Sequence, residues 1–213
     1  MPLISDFDGV LVDSTPVVEA AWSRWAGERG VVFETMLPRL HGRPGIDVVR
    51  EFAPPHLIAD EELAVIDEYE LAGTGDITVM PGARELIETA GPRWAIATSG
   101  SHPVATARIR AVGLPMPPVL VTASDITHGK PHPEPYLKAA AQLGVDPGDC
   151  VVVEDAPAGI EAARAAGMYV IAVANTHDAA VLGEADAIYA TTTDAIPALR
   201  AWLGTRGPAP RSP

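Results

Sequence analysis

Apolar residues in this chain fall into short, nearly unbroken runs: "PLISDF", "WAIAT", "PVLVTA", "CVVVE", "YVIAV" and "DAIYA". A strand with one wet face alternates apolar and polar positions. A continuous run fits a parallel strand covered on both faces. Helix-like segments separate the runs, at roughly 82–90, 103–112, 133–143, 158–166 and 194–203. Gly91, Gly113, Gly144, Gly167 and Gly204 follow their ends, where glycine can adopt the left-handed conformation that stops a helix. Strand alternating with helix predicts a doubly wound α/β parallel sheet.

The alternation breaks between about residues 15 and 79, where helix signals appear without a convincing strand. "PVVEAAWSRWAGERG" begins with proline and ends at Gly30, with Val18, Trp22 and Trp25 on one helical face. Core packing accounts for both tryptophans. "ADEELAVIDEYELAG" reads as an acidic amphipathic helix whose charges form a solvated face. The stretch is therefore expected to be an all-helical insertion over residues 15–79, between core segments 1–14 and 80–205. The Pro-rich tail 206–213 is expected to be disordered.

Composition narrows the function classes. With 213 residues, 47% of them hydrophobic and 20% charged, the chain has the make-up of an ordinary globular domain. Its formal charge of −13 argues against nucleic acid and anionic membrane as partners, since both need a basic face. No segment reaches transmembrane length, and "MPLISDFDG" lacks the basic start and long apolar run of a signal peptide. The single cysteine, Cys150, rules out an intrachain disulfide and reads as a small buried residue at a strand start. A cytoplasmic location is the default expectation.

In an open parallel sheet, ligands bind outside the carboxyl ends of the strands. Asp6 and Asp8 follow the first run; Thr98, Ser99 and Gly100 follow "WAIA". Ser124 and Asp125 follow "VLVTA", with Lys130 a short loop later, and Glu154 and Asp155 end "VVV". Distant pieces of chain thus deliver hydroxyls, an amine and carboxylates to one edge. These types suit phosphoryl transfer. A carboxylate repels a phosphate monoester unless a hard cation such as Mg²⁺ sits between them. Asp6 can then act as nucleophile and Asp8, two residues on, as general acid and base. Thr98 and Lys130 can hold phosphoryl oxygens, and Asp155 with Glu154 can complete a metal site. Asp13 is better explained by an Asx-type turn. His102 and His132 read as loop or helix-start residues without metal-ligand spacing.

"DFDGVLVDS", "AIATSG", "GKPHPEPYL" and "VVVEDAPAGIEAARAAG" resemble, in order, the four motifs of the haloacid dehalogenase-like phosphohydrolases, over Leu3 to about Val173. The resemblance implies a Rossmann-like core with a helical cap of the first type inserted after the first motif. It also implies Asp6 as nucleophile, Asp8 as acid/base, Thr98 and Lys130 as phosphate ligands, and Gly9, Ser99 and Gly100 lining the phosphate site. The metal, Mg²⁺, is expected on Asp6, Asp155, Glu154 and Asp8, the last through its backbone carbonyl. The motif wording is similar to phosphatases of small sugar and polyol phosphates, so a small phosphorylated metabolite is the expected partner; a monomer or homodimer is expected, with the sequence leaving the choice open. The caps of such phosphatases supply specificity, and "LHGRPGIDVV" is the candidate segment, with His41, Gly42 and Arg43. The alternative is a β-phosphoglucomutase-like enzyme. Those proteins typically carry a histidine in the first cap helix, where this chain has Val18. Dehalogenases lack the second aspartate, and a silent phosphometabolite-binding protein is the reading of a different class.

Overall fold

The computed structural model describes residues 1–40 and 43–204. Strand β1 (Leu3–Ser5) and a short strand β2 (Val12–Asp13) lead into four helices: α1 (Thr15–Arg29), α2 (Phe33–Met36), α3 (Gly45–Phe52) and α4 (Ala59–Ala72). The chain continues through β3 (Thr78–Val79), α5 (Ala83–Ala90), β4 (Trp94–Ala97), α6 (His102–Ala111) and β5 (Val119–Val121). It ends with α7 (Glu134–Leu143), β6 (Val151–Glu154), α8 (Pro157–Ala165), β7 (Tyr169–Val173), β8 (Ala187–Tyr189) and α9 (Thr192–Gly204). The six apolar runs are the six strands of the main sheet, in the order β5-β4-β1-β6-β7-β8, all parallel.

The continuous runs have the cause the pattern suggested. Leu3 packs into one apolar cluster, with Leu86, Ile87, Leu199 and Trp202 of α5 and α9. The next residue, Ile4, packs into the opposite cluster, with Tyr136, Ala139 and Ile160 of α7 and α8. Both faces of β1 are covered, which favours apolar residues, and the buried Ser5 at its end has its hydroxyl satisfied by the Asp6 carbonyl. A third cluster belongs to the insertion and gathers Trp22, Trp25, Met36, Val48, Val49 and Ile66. The two indoles meet edge to face, with centroids 5.9 Å apart.

Two features depart from the sequence expectation. The insertion is bounded by a two-stranded antiparallel ribbon, with Val12 opposite Val79 and Asp13 opposite Thr78. Two residues per strand are too few to leave a period in the sequence. The acidic helix α4 is also not wholly solvated, because Glu62 and Glu70 are buried. Glu62 accepts from Trp25 Nε1 at 2.7 Å and from Arg29 Nε at 2.6 Å, so its charge is paired inside. Among the described residues no helix is long and apolar enough to cross a membrane.

Strand register positions the site. Ser5 pairs with Ile96 on one side and Val153 on the other. The residues that follow, Asp6, Ala97 and Glu154, therefore emerge at one level. The chain leaves β1 toward β4 on one side and returns to β6 on the other. That reversal is the switch point where open α/β sheets bind ligands.

Candidate active site

Asp6 leaves β1 with its amide still donating to the Val153 carbonyl at 2.9 Å. Its carboxylate turns into a buried cluster, where Lys130 Nζ donates to Asp6 Oδ1 at 2.6 Å and to Glu154 Oε1 at 2.7 Å. Lys130 itself comes from the loop ahead of α7 and is joined to Pro131 by a cis peptide bond. Glu154 is saturated: Oε1 also accepts from the Tyr136 hydroxyl at 2.9 Å, and Oε2 accepts from the Asp155 and Ala156 amides, each at 2.8 Å. Asp155 Oδ2 accepts a hydrogen bond from Thr176 Oγ1.

The charges do not balance. Three buried carboxylates, Asp6, Glu154 and Asp155, face one ammonium, Lys130. Burial pushes the Asp6 carboxyl up to about 7 even though Lys130 pulls it down. Burial, followed by the charges of Glu154 and Asp6, pushes Asp155 well above the carboxylate range. Burial opposes the charge on Lys130, yet Asp6 and Glu154 more than offset this and hold it well above its ordinary value. A buried excess of negative charge is costly unless a cation completes it. Ligand oxygens of Asp6, Glu154 and Asp155 lie within 4.8 Å of one another, which fits a hard divalent cation.

Gly9 shows how tightly this corner is built. It has a φ of 79°, and a Cβ there would overlap the Asp155 carboxylate and sit 2.8 Å from Thr176 Cγ2. Only glycine satisfies both the left-handed turn and the close approach.

The Asp8 carboxylate is not part of the Asp6, Glu154 and Asp155 group. Its Oδ1 accepts from Ser14 Oγ and from Arg108 Nη1, each at 2.5 Å, and its Oδ2 from Thr98 Oγ1 at 3.3 Å. The cause is the turn at Gly9, whose amide bonds the Val12 carbonyl at 2.8 Å and swings the chain away from the β1 axis. Thr98 Oγ1 also accepts from the Gly100 amide at 3.1 Å.

Asp6, Asp8, Gly9, Ser99, Gly100, Lys130 and Asp155 open onto one cavity of about 400 Å³. The insertion supplies its other wall, including Val18, Trp22, Arg43, Asp67 and Glu70. Arg43 lines the cavity while donating to Glu51 Oε2 at 2.9 Å. His41 and Gly42 lie outside the described residues, as does the tail 206–213. Asp13 makes the expected Asx contact, accepting from the Thr15 amide at 3.3 Å.

Several site residues escaped the sequence reading. Thr176 and Asn175 follow β7, and Asn175 Nδ2 donates to the Gly9 carbonyl at 2.7 Å. The strand-end rule, applied to "YVIAV", finds them. Arg108 and Glu70 have no such signal: they sit in the last turns of α6 and α4, away from any strand end. Burial pushes the Glu70 carboxyl up to about 7 against the pull of Arg108. His132, read as lacking ligand spacing, comes within 4.8 Å of His128 and Glu134, counted between ligand atoms. That group is largely exposed, and Glu134 Oε1 and Oε2 already accept from the Thr127 and His128 amides at 2.8 and 2.9 Å.

An open parallel sheet that delivers buried carboxylates and a lysine to its switch point, beneath a helical insertion, defines a Rossmann-like α/β enzyme of the hydrolase kind. The haloacid dehalogenase-like hydrolase family model matches residues 3–167, and the chain belongs to that family. It is 46% identical to hexitol phosphatase A of Escherichia coli (strain K12), over 86% of this chain and 87% of that protein. It is 37% identical to glycerol-1-phosphate phosphohydrolase 2 of Saccharomyces cerevisiae, over 84% of this chain and 76% of that protein. A hydrolase from Pseudomonas syringae superposes with a TM-score of 0.84 at 26% identity, covering 94% of this chain and 98% of the other.

Proposed function

We propose that this protein is a Mg²⁺-dependent phosphatase of a small sugar or polyol phosphate monoester, working through an aspartyl phosphate on Asp6. The observation that carries the reading is the meeting of Asp6, Asp155 and Lys130, from three separate segments, at one edge of a cavity, with Thr98 from a fourth segment bonded to Asp8 beside it. Asp6 attacks phosphorus as the ester P–O bond breaks. Asp8 gives the departing alkoxide its proton. Water then attacks the phosphoenzyme, Asp8 takes the proton back, and Asp6 and inorganic phosphate are released. Lys130 and Thr98 hold phosphoryl oxygens, with Ser99, Gly100 and Gly9 lining their site. Asp6 and Asp155, with the Asp8 carbonyl, would hold Mg²⁺, and Glu154 would support the site by fixing Lys130 and the Asp155 amide. Bound there, Mg²⁺ supplies the positive charge that lets an anionic ester approach the carboxylates.

The helical insertion acts as the cap that excludes water and selects the rest of the substrate. Its wall favours a hydroxylated, uncharged tail. Arg43 and Arg50 line the cavity but are paired with Glu51 and Asp47, and Arg108 is paired with Glu70 and Asp8, whereas Asp60 and Asp67 add acidic groups to the wall. A second phosphate would meet that field, so a bisphosphate-using mutase is disfavoured. The hexitol and glycerol phosphate names of the two relatives agree with a polyol ester. The same reading places the enzyme in the cytoplasm, as a monomer or homodimer.

The test is phosphate release from 4-nitrophenyl phosphate and from a panel of sugar and polyol phosphates, with Mg²⁺ and with chelator. Turnover should require the metal, and Asp6→Asn should lower it by at least about 10³-fold while circular dichroism stays unchanged. An active Asp6→Asn variant would sink the nucleophile assignment. Conversion of β-glucose 1-phosphate to glucose 6-phosphate, rather than to free phosphate, would establish the mutase instead.

A further inference from the structure

Arg108 is the least expected residue near the site. It lies in α6, is 2% exposed, and reaches into the space between core and insertion. Its Nη1 holds Asp8 Oδ1 at 2.5 Å, and its Nη2 holds Glu70 Oε2, on α4, at 2.7 Å. Glu70 Oε1 in turn accepts from Trp22 Nε1, on α1, at 3.2 Å. Among the described residues Arg108 Nε has no hydrogen-bond partner.

A buried arginine bridging two carboxylates is weak evidence for stability, because apolar replacements often stabilise as well or better. What the bridge does achieve is orientation. Two strong donors, Ser14 and Arg108, fix Asp8 Oδ1, while Oδ2 has only the 3.3 Å contact from Thr98. That leaves Oδ2 as the oxygen with capacity to exchange a proton in the cavity. The other end of the same guanidinium grips the insertion. A planar fork holds both carboxylates in one geometry, which a flexible ammonium does not.

We infer that Arg108 is a positioning residue: it sets the carboxylate of the acid/base Asp8 and makes that setting depend on the seating of the cap through Glu70. The inference rests on the phosphatase reading and deepens it. Cap closure over a substrate and delivery of the proton to the leaving oxygen become one event, so a substrate that fails to seat the cap leaves Asp8 badly placed.

Leaving-group dependence separates this role from a structural one. 4-Nitrophenolate is a weak base and departs with little help from an acid, whereas the alkoxide of glycerol 1-phosphate needs the proton. The quantity to compare is kcat/KM with saturating Mg²⁺, because it reports steps up to formation of the phosphoenzyme. Asp8→Asn provides the scale. Arg108→Met should lose at least about tenfold more on glycerol 1-phosphate than on 4-nitrophenyl phosphate, within the 10²–10⁴-fold that general acids contribute. Glu70→Gln should show the same bias at smaller size. Arg108→Lys, which keeps charge but not the fork, should fall between Arg108→Met and the parent, and it carries the comparison should Arg108→Met fail to fold. Equal losses on both esters, a rise in KM alone, or an Arg108→Lys variant indistinguishable from the parent on both would each overturn the inference. A parent protein inactive on every ester with Mg²⁺ would instead remove the phosphatase reading, and this inference with it.

Discussion

Gly159 sits in the first turn of α8, where two effects of opposite sign meet. Helix propensity alone predicts that Gly159→Ala stabilises, by up to about 1 kcal/mol. The structure predicts the reverse. A Cβ at Gly159 would interpenetrate Oε1 and Cδ of Glu154 and lie 2.7 Å from Oε2, against an ordinary separation of about 3.5 Å. Glu154 is fully buried and both its oxygens are engaged, so moving its carboxylate away from that Cβ means abandoning partners. Those at risk are Lys130 at 2.7 Å, Tyr136 at 2.9 Å and two amides at 2.8 Å. Hydrogen bonds to charged groups contribute about 1.5–3 kcal/mol each. Losing two outweighs the helix gain and leaves a net cost of about 3 kcal/mol. With a urea m-value of about 2 kcal/mol/M, the midpoint should fall by about 1.5 M. Urea unfolding followed by tryptophan fluorescence reads this directly. Gly27→Ala is the control: Gly27 lies in α1 with nothing within 4 Å of its would-be Cβ, and that variant should gain about 0.5–1 kcal/mol. Turnover of Gly159→Ala should fall with stability, because the displaced lysine is the one that holds Asp6. A midpoint that stays put or rises would refute the reasoning, since propensity would then have won.

Further outcomes follow from the buried carboxylates and their surroundings. In chelator, Asp6 (3.8 raised to about 7) and Glu70 (4.5 raised to about 7) keep protons in the folded state that the unfolded chain has released. Stability should therefore fall as pH climbs from about 4 to 7, by about 3 kcal/mol per group. Mg²⁺ should then raise the melting temperature more at pH 8 than at pH 5.5, and a thermal scan showing an equal shift at both would contradict the charge argument. Gly9→Ala, which presses on Asp155, should weaken Mg²⁺ binding at least about tenfold, measured as the Mg²⁺ concentration for half-maximal phosphate release; an unchanged value would show that the Gly9 turn does not shape the ion site.

The core was legible because it obeys local rules. Strands covered on both faces leave unbroken apolar runs, only the edge strand β8 leaving Ile188 exposed, and strand carboxyl ends mark where Asp6, Thr98 and Glu154 emerge. Lys130 was legible only through motif order, since nothing local distinguishes it from a surface lysine. What escaped depends on partners distant in sequence. Glu70 is buried because Arg108 and Trp22, 38 and 48 residues away, come to it. No helical period in "ADEELAVIDEYELAG" encodes that meeting. Thr176 differs: it stands just past the carboxyl end of β7, where a local rule does point to it.

Asp6 and Asp8 are chemically identical and two residues apart, yet the fold gives them unlike surroundings. Phe7 between them is fully buried in the apolar cluster beneath α5 and α9, which pins the chain where the strand stops. On one side of that anchor Asp6 faces inward, its side chain 11% exposed, beside Lys130, Glu154 and Asp155. On the other side Asp8, with its side chain 33% exposed, faces the cavity among hydroxyls and a guanidinium. Environment divides the work of paired carboxylates in just this way: one is held to accept a bond, the other is left able to trade a proton. The division hangs on Gly9, because any larger residue there would push on Asp155 and unwind the turn that separates the two. On the proposed function, specificity is added by the inserted helices, whose Glu70 touches this arrangement through Arg108 of α6. On that reading, a cap of different sequence could exchange one substrate for another only where it keeps the Glu70 contact that seats Asp8 through Arg108.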